Sequence, residues 1–342
     1  MLFISLCLPS LTMAQSGSDE LWSALKGSWV RTKSGWANAN RSDKLSDYHL
    51  QYLKYKWTAQ NQLLVYPSYM ANGLELPYEL KDQNLKIGFG RYFVIEKVDE
   101  DELVLVELEG GASGEKSLRF EFVREQHYID ALPLRSQDFM VKSSGDTLFF
   151  DSEKFHPQFS HEQYPDFHLY VHNQLKRFYP KGENYFLASF EIDATGQIDQ
   201  VQVFAHANQK TTEKAIEAIA KSEGMWQLPR PNGRGRRVLM TIEDQYNKRR
   251  SGTALNLNSV QNDIGQRYGN LFVEAFQKAV YLYVRKQYDQ MPEWLARCEK
   301  ARPDEPNLIY LKYLYAEAIA DELALQKHKD LLSKTPLSFL IK

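Results

Sequence analysis

The chain has 342 residues, a net charge of −2 at pH 7 and an apolar content of 43%. This length exceeds what one ordinary hydrophobic core organises, so it predicts two or three domains. The balanced charge gives no electrostatic reason to expect nucleic acid or an anionic membrane as a partner. Tyr and Phe number 20 and 18, and because aromatic residues favour strands, a substantial part of the chain is expected to be β.

Residues 1–14 have the pattern of a secretory signal peptide. Residues 2–11 are mostly apolar, and Thr12 and Ala14 place small side chains before a cleavage point at Gln15. The apolar run is much shorter than the ~20 residues that span a bilayer, so no membrane span is expected. We therefore expect an exported protein that lies in the periplasm or is associated with the cell envelope.

Residues 21–130 alternate between short apolar runs and tight turns, and they contain no long helical pattern. Such a succession predicts an up-and-down sheet or a small barrel. The candidate strands are Ser28–Thr32, Gln51–Trp57, Gln62–Tyr66, Leu85–Gly88, Arg91–Val98, Leu103–Leu108 and Ser117–Arg124.

Gly27-Ser-Trp29 stands at the entrance to the first candidate strand. This G-x-W sequence resembles the entrance of lipocalin-like barrels, in which the Trp closes the bottom of the barrel and an Arg from a late strand packs over it. The resemblance implies that Arg119 or Arg124 takes that position by cation–π stacking. It leaves two uses for the interior, a small apolar ligand or the barrel's own side chains, and the small size of the barrel favours a filled interior.

Residues 131–163 are interpreted as a linker, with Thr147–Phe150 as one further candidate strand. Residues 164–246 then combine helical and strand patterns. The first apolar side chains recur at helical spacing until Pro180, and Gly196 later permits a tight turn with positive φ. The predicted order is a helix over Phe167–Phe178, a hairpin of Tyr185–Asp193 and Ile198–Phe204, a helix over Thr211–Ser222 and a strand over Arg237–Ile242.

Several residues of this stretch occur in an order that resembles the TonB C-terminal domain family. The matching positions are Leu175 with Tyr179-Pro180, the hairpin sequence from Phe190 to Ile198, Ala215 with Ala218, and Trp226, Pro229 and Asn232-Gly233. The resemblance covers residues 164–246 only. It implies a small α+β module of the bacterial cell envelope that binds a peptide or protein partner and is not an enzyme.

In that family the outer strand of the sheet can accept an extended peptide from an outer-membrane transporter, which adds a strand. The resemblance therefore implies that Arg236–Ile242 is a free edge. Arg236, Arg237, Leu239 and Thr241 are the candidate partner-binding residues, because side chains on alternating faces of the strand would select the peptide. The chain has no long Pro-rich spacer, so energy transduction is not implied.

Residues 247–262 are rich in Ser, Gly and Asn and are interpreted as a second linker. Residues 263–342 have a helical period, so an α-helical tail is expected. Phe276 and Tyr310 stand 34 residues apart, which resembles tetratricopeptide-type helix pairs, although generic helical hairpins give the same pattern. The predicted helices are Gly265–Tyr288, Glu293–Ala301, Asn307–Leu325 and a short one around His328–Leu331.

Four histidines, His156, His161, His168 and His172, lie within 17 residues. His168 and His172 are four apart, so on a helix they share a face and could both reach a zinc ion. One hypothesis is thus a metal site, or a metal-dependent enzyme that uses this cluster. The other is a chance group of histidines on a surface helix, because the spacing is not that of a His-Glu-x-x-His motif.

The sequence contains no phosphate loop, dinucleotide fingerprint or Cys/His nucleophile arrangement, so neither a cofactor nor enzymatic activity is expected. The basic residues of 230–250 lack the interleaved aromatics of a nucleic-acid surface. The favoured function is therefore partner binding at the cell envelope, with links to outer-membrane transport. The alternatives are a carrier or sensor of a small apolar ligand in the front barrel, and the metal-dependent enzyme.

Overall fold

A computed structural model of the protein describes residues 20–38, 45, 51–71, 73–108, 117–248, 254–256 and 267–341. The expected signal peptide at residues 1–14 lies outside these ranges. The chain divides into two units, Met1–Leu134 and Arg135–Lys342. No helix of the described ranges is both long and apolar enough to cross a bilayer.

The first unit is a closed barrel of eight antiparallel strands, in which each strand pairs with the next and the last pairs with the first. This confirms the barrel expected from the strand pattern. A helix over residues 20–25 precedes the barrel, and helix α1 (Glu125–Ala131) follows it. The strands are β1 (Gly27–Trp36), β2 (Lys54–Ala59), β3 (Gln62–Tyr66), β4 (Leu74–Lys81), β5 (Asn84–Ile87), β6 (Arg91–Val98), β7 (Glu102–Leu108) and β8 (Leu118–Arg124).

Strand β4 is absent from the seven strands that the sequence suggests. Pro77 interrupts its run, and proline is rare inside strands because it cannot donate a ladder hydrogen bond. In the barrel Pro77 pairs with Gln62 on one side, and its carbonyl accepts the N–H of Gly88 at 2.8 Å. The Pro77 carbonyl thus serves as a hydrogen-bond acceptor, which a proline can supply. With β4 added to the seven predicted strands, the barrel closes with eight.

Aromatic side chains dominate the core of the barrel. Tyr55 packs edge-on against Trp57 with ring centroids 5.5 Å apart, and it stacks on Phe122 at 5.2 Å. Phe93 and Phe120 meet at 6.4 Å, and all five side chains are buried in one cluster. These five aromatic side chains pack against one another within the described part of the barrel.

The bottom of the barrel is closed by Trp29 and Arg124. The indole Nε1 of Trp29 donates to the carbonyl of Leu25 at 2.8 Å, and the guanidinium of Arg124 lies 3.8 Å from the centre of the indole ring. Gly27 has φ +111°, and a Cβ there would lie 3.2 Å from Arg124 Nη1. Of the two arginines considered from the sequence, Arg124 takes this position, whereas Arg119 pairs with carboxylates on the outer surface.

The second unit is built on a mixed sheet and a separate two-stranded ribbon. Its strands are β9 (Phe139–Val141), β10 (Thr147–Phe150), β11 (Gln158–Phe159), β12 (Gly182–Ile192), β13 (Ile198–Ala205), β14 (Trp226–Gln227), β15 (Val238–Lys248) and β16 (Ala254–Asn256). The order in the sheet is β13-β12-β15-β10-β9, with β16 also paired to β15, and β11 and β14 form the ribbon. All pairings of the sheet are antiparallel except that of β10 with β15.

Helices cover both faces of this sheet. On one face lie α2 (Phe167–Leu175), capped by Asp166, and α3 (Gln209–Lys221), capped by Asn208, and both pack their apolar sides against the strands. The opposite face packs against the helical tail, where Leu187 and Phe204 share a cluster with Phe276. The tail helices are α4 (Arg267–Val284), α5 (Met291–Ala301), α6 (Pro306–Ala318) and α7 (Glu322–Leu332).

Three segments differ from the sequence interpretation. The expected linker 131–163 contains the candidate strand Thr147–Phe150 as β10, and it also supplies β9, which pairs with β10, and β11, which pairs with the distant β14. The third predicted tail helix ends early: Ala320 has φ +55°, and the side chain of Asp321 accepts the N–H of Ala324 to begin α7. The expected linker 247–262 lies partly outside the described residues, and its described part contributes the end of β15 and all of β16.

Candidate functional site

The strand singled out for partner binding lies inside the sheet. β15 pairs with β12 along its whole length, from Val238 to Lys248. On its other side, β10 pairs with Val238 and Leu239, and β16 pairs with residues 246–248. The prediction of a free edge over Arg236–Ile242 is therefore wrong where β10 covers it. The cause is long-range pairing, because β10 belongs to the segment that was interpreted as a linker.

A gap remains between β10 and β16. The amide of Phe149 donates to Arg237 O at 3.0 Å and that of Asp151 donates to Leu239 O at 3.1 Å, so the odd-numbered backbone groups of β15 face away from β12. By the alternation of a strand, the N–H and C=O groups of Thr241 and Glu243 face the same way. In the described part of the chain no strand pairs with these two residues on that side. We call this stretch, Thr241–Gln245, the β15 gap.

The four residues predicted to bind a partner have different environments. Leu239 is 8% exposed and packs with Leu148 and Phe150, so it belongs to the core rather than to a binding surface. The guanidinium of Arg236 lies 5.4 Å from the Phe149 ring. Thr241 is exposed and lies in the β15 gap.

Arg237 belongs to an intramolecular ion-pair network centred on Glu191 of β12. Glu191 is buried and accepts from Lys142 at 2.6 Å and from Arg237 at 3.1 Å, and Arg237 also reaches Asp199 at 3.2 Å. Its neighbouring carboxylates raise the pKa of Arg237. These contacts tie together β12, β15 and the turn after β9, so Arg237 has a structural role within the chain.

Asp244, within the β15 gap, has a buried carboxylate on the face that α2 covers. Asp244 is 1% exposed and accepts a hydrogen bond from the Tyr179 hydroxyl at 2.8 Å. His172 Nδ1 lies 3.0 Å from one carboxylate oxygen, and His168 Nε2 lies 3.5 Å from the other. The two histidines thus share a face of α2, as their spacing predicts, and that face is turned toward an acid of the sheet.

The four clustered histidines do not converge on one point. His156 Nδ1 lies 2.7 Å from Asp151 Oδ1, and the ring of His161 packs on Phe159 and Tyr164. Throughout the described ranges, no group of three or more His, Cys, Asp or Glu side chains is placed to hold a metal ion. His168 and His172 with Asp244 form a carboxylate–histidine cluster, which fits a structural role inside the fold.

On the other face of β15, Glu243 meets the helical tail. Gln277 of α4 donates to the Glu243 carboxylate, and burial raises the pKa of that carboxyl. Glu243 and Asp244 therefore place two acids in the middle of β15, where its apolar run ends, one toward each helical layer. Sequence reasoning missed both. The sequence did contain one signal: Asp244 occupies the next position on the strand face that carries the apolar side chains of Met240 and Ile242.

His206 follows β13 directly and is 5% exposed. Its N–H donates to Asn307 Oδ1 of α6 at 2.7 Å, and its ring Nδ1 lies 3.0 Å from the Thr212 hydroxyl. Burial lowers the pKa of His206 from 6.5 to about 4, because the surroundings penalise the imidazolium. Below pH 6.5 the unfolded chain therefore binds the proton more readily than the folded chain. The free energy of unfolding is therefore highest above pH 6.5, where His206 is neutral in both states, and it decreases as the pH falls toward 4.

No protein-family model, curated protein or solved structure matches this chain. The case for a function accordingly depends on the sequence patterns and on the geometry described above.

Proposed function

We propose that this chain is a non-enzymatic binding protein of the cell envelope, which takes up an extended peptide by strand addition at the β15 gap. The observation that carries the proposal is the orientation of the Thr241 and Glu243 backbone groups, which face away from β12 at a place where no described strand pairs with them. Unpaired strand backbone is a template for a further strand. At roughly 3.3 Å per residue, the gap suits a segment of about four or five residues.

Two resemblances support the envelope setting. The helix, hairpin, helix and strand of residues 164–246 follow the order expected of a TonB C-terminal domain, and Gly27, Trp29 and Arg124 are arranged as a lipocalin-like entrance would have them. The signal-peptide pattern of residues 1–14 supports export to the periplasm. A TonB-like module in that compartment would meet peptides of outer-membrane or periplasmic proteins, with a sheet edge as its contact surface.

The two acids of the gap, Glu243 and Asp244, bias the choice of peptide. Glu243 points to the α4 face and already accepts from Gln277, while the charge of Asp244 on the other face is partnered by Tyr179 and His172. A peptide in the gap would place its side chains alternately on these two faces. We expect a Lys, Arg or other donor on the α4 face, where it would pair with Glu243.

The proposal is tested by removing one backbone donor while the side chain is controlled. Thr241→Pro deletes the N–H that faces the gap. It spares the ladder to β12, because residue 241 stands at a non-hydrogen-bonded position of that pairing. Thr241→Val keeps the N–H and retains a β-branched side chain. The tagged full-length chain and both variants are incubated with an envelope extract of the cells that produce it, and retained proteins are quantified by mass spectrometry.

We expect one partner or a small set of partners to be retained by the wild type and by Thr241→Val and to be lost with Thr241→Pro. Peptides of that partner should then slow amide exchange over residues 241–245. Identical retention by all three proteins, or retention of none, would contradict strand addition at this site. Export is tested separately by fusing residues 1–20 to alkaline phosphatase, which is active only outside the cytoplasm, and an inactive fusion would contradict the envelope setting.

A further inference from the structure

A groove runs between α2 and α3 on the face of the sheet that these helices cover. Its volume is about 340 Å³, at the lower end of the range for small-molecule sites, ~300–1,000 Å³. Tyr170 and Phe178 supply its aromatic surface, and Arg177, Lys214 and Lys221 bring three cations to its walls. We call it the α2–α3 groove. It is separate from the β15 gap, and the inference below does not depend on the proposed function.

The charge of the groove is positive. Glu217 is its one lining acid, and its carboxylate pairs with Lys214 and, at 2.6 Å, with Lys221. These two lysines hold the pKa of Glu217 at about 2, so the acid is ionised at every physiological pH. Among the described residues of the lining, cations thus outnumber carboxylates by three to one. A groove of one sign with apolar walls concentrates ligands of the opposite sign.

The aromatic side chains give the groove a flat apolar surface beside the cations. Arg177 Cζ lies 6.0 Å from the centre of the Phe178 ring, and Lys210 Nζ lies 5.3 Å from it on the α3 side. Tyr170 is held by ring contacts with Phe167 at 5.9 Å and Tyr164 at 5.6 Å. Tyr170 is only 5% exposed, so the half-buried Phe178 supplies most of the ring surface of the groove, and a fixed ring presents that surface at little entropic cost.

We propose that the α2–α3 groove binds a small anionic ligand that carries a flat or apolar ring. The ring would lie against Phe178 and Tyr170, and its carboxylate, sulfonate or phosphate would meet Arg177 and the lysines of α3. Glu217 competes with the anion for Lys214 and Lys221. Glu217 therefore lowers the affinity for the ligand, because the anion must interact with the lysines more strongly than the Glu217 carboxylate does.

The test uses three probes and the full-length protein, with binding measured by isothermal titration calorimetry. 2-Naphthoate has both ring and anion, 2-naphthalenemethanol has the ring alone, and inorganic phosphate has the anion alone. We expect 2-naphthoate to bind, and each of the other two probes to bind about tenfold more weakly or not at all. Absence of heat with 2-naphthoate at millimolar concentration would overturn the proposal.

Variants place the binding in the groove. Arg177→Gln should weaken 2-naphthoate about fivefold, and Glu217→Gln should tighten it about fivefold, because it frees two lysines. The gain with Glu217→Gln cannot come from misfolding. Lys300→Gln is the control for Arg177→Gln. It removes one positive charge from an exposed position on α5 and should leave the affinity for 2-naphthoate unchanged. Equal affinity in wild type, Arg177→Gln and Glu217→Gln would show that the probe binds elsewhere and would overturn the proposal.

Discussion

Loss of the Arg124 side chain should weaken the barrel substantially. Its guanidinium donates to the carbonyls of Lys26 at 2.7 Å, Ala24 at 2.9 Å and Glu100 at 2.8 Å, and it covers the Trp29 ring. Three hydrogen bonds at about 1 kcal/mol each and a cation–π contact of ~1 kcal/mol predict a loss of about 4 kcal/mol for Arg124→Ala. That is a large fraction of the ~5–15 kcal/mol that stabilises a domain.

The measurement is hydrogen exchange by mass spectrometry on the full-length protein across a urea series, followed on peptides of β1 and β8. Arg124→Lys keeps the charge but not the fork of donors, so we expect it to lose about half as much stability as Arg124→Ala. Arg119→Ala is the matched control. It removes exposed ion pairs of the same barrel and should cost less than about 1 kcal/mol. Similar losses for the alanine variants at residues 119 and 124 would refute the reasoning that the contacts to Trp29 and the carbonyls close the barrel.

Two further predictions concern buried groups of the second unit. Wild-type stability should fall by about 3 kcal/mol more than that of His206→Gln between pH 7.5 and 4, measured by urea denaturation. In the wild type, the unfolded chain binds a proton at His206 near pH 6.5, whereas the folded chain, with a pKa of about 4, does not. Parallel curves for the two proteins would contradict this. Asp244→Asn should destabilise the unit by about 3 kcal/mol, because it withdraws the charge that the Tyr179 hydroxyl and His172 face. The same urea titration at pH 7.5 checks it, and a loss below ~1 kcal/mol would show that the cluster contributes little.

Local sequence patterns predicted those structural features that depend on residues close together in the sequence. Short strands and turns predicted the barrel. The resemblance of Gly27-Ser-Trp29 to lipocalin-like barrels implied that Arg119 or Arg124 covers Trp29, and Arg124 does. Strand β4 was missed because Pro77 interrupts the alternation, and only the register with β3 shows that the strand tolerates an imino acid there. The end of α6 was also missed, because Ala320 adopts a positive φ there and alanine is not a residue that predicts such a conformation.

The position of β15 in the sheet could not be predicted from the sequence. A strand that comes last in a helix, hairpin, helix and strand order is reasonably expected at an edge. Its second neighbour, β10, is supplied by a segment almost ninety residues earlier, through a parallel pairing of Phe149 with Val238. No local spacing specifies such a partner. For the same reason the environment of Leu239 was misjudged, since alternation indicates two faces but not which face is covered.

The place of β15 also has a consequence for biosynthesis. The hairpins β9–β10 and β12–β13 leave the ribosome before Val238, and each then has an open side that only this later strand can occupy. The sheet of the nascent chain therefore stays in two incomplete halves until residue 248 is available. A polypeptide that ended before that point would expose two unpaired strand edges at once and would tend to aggregate. A chaperone that shields margins of this kind would be most useful to this molecule during that interval.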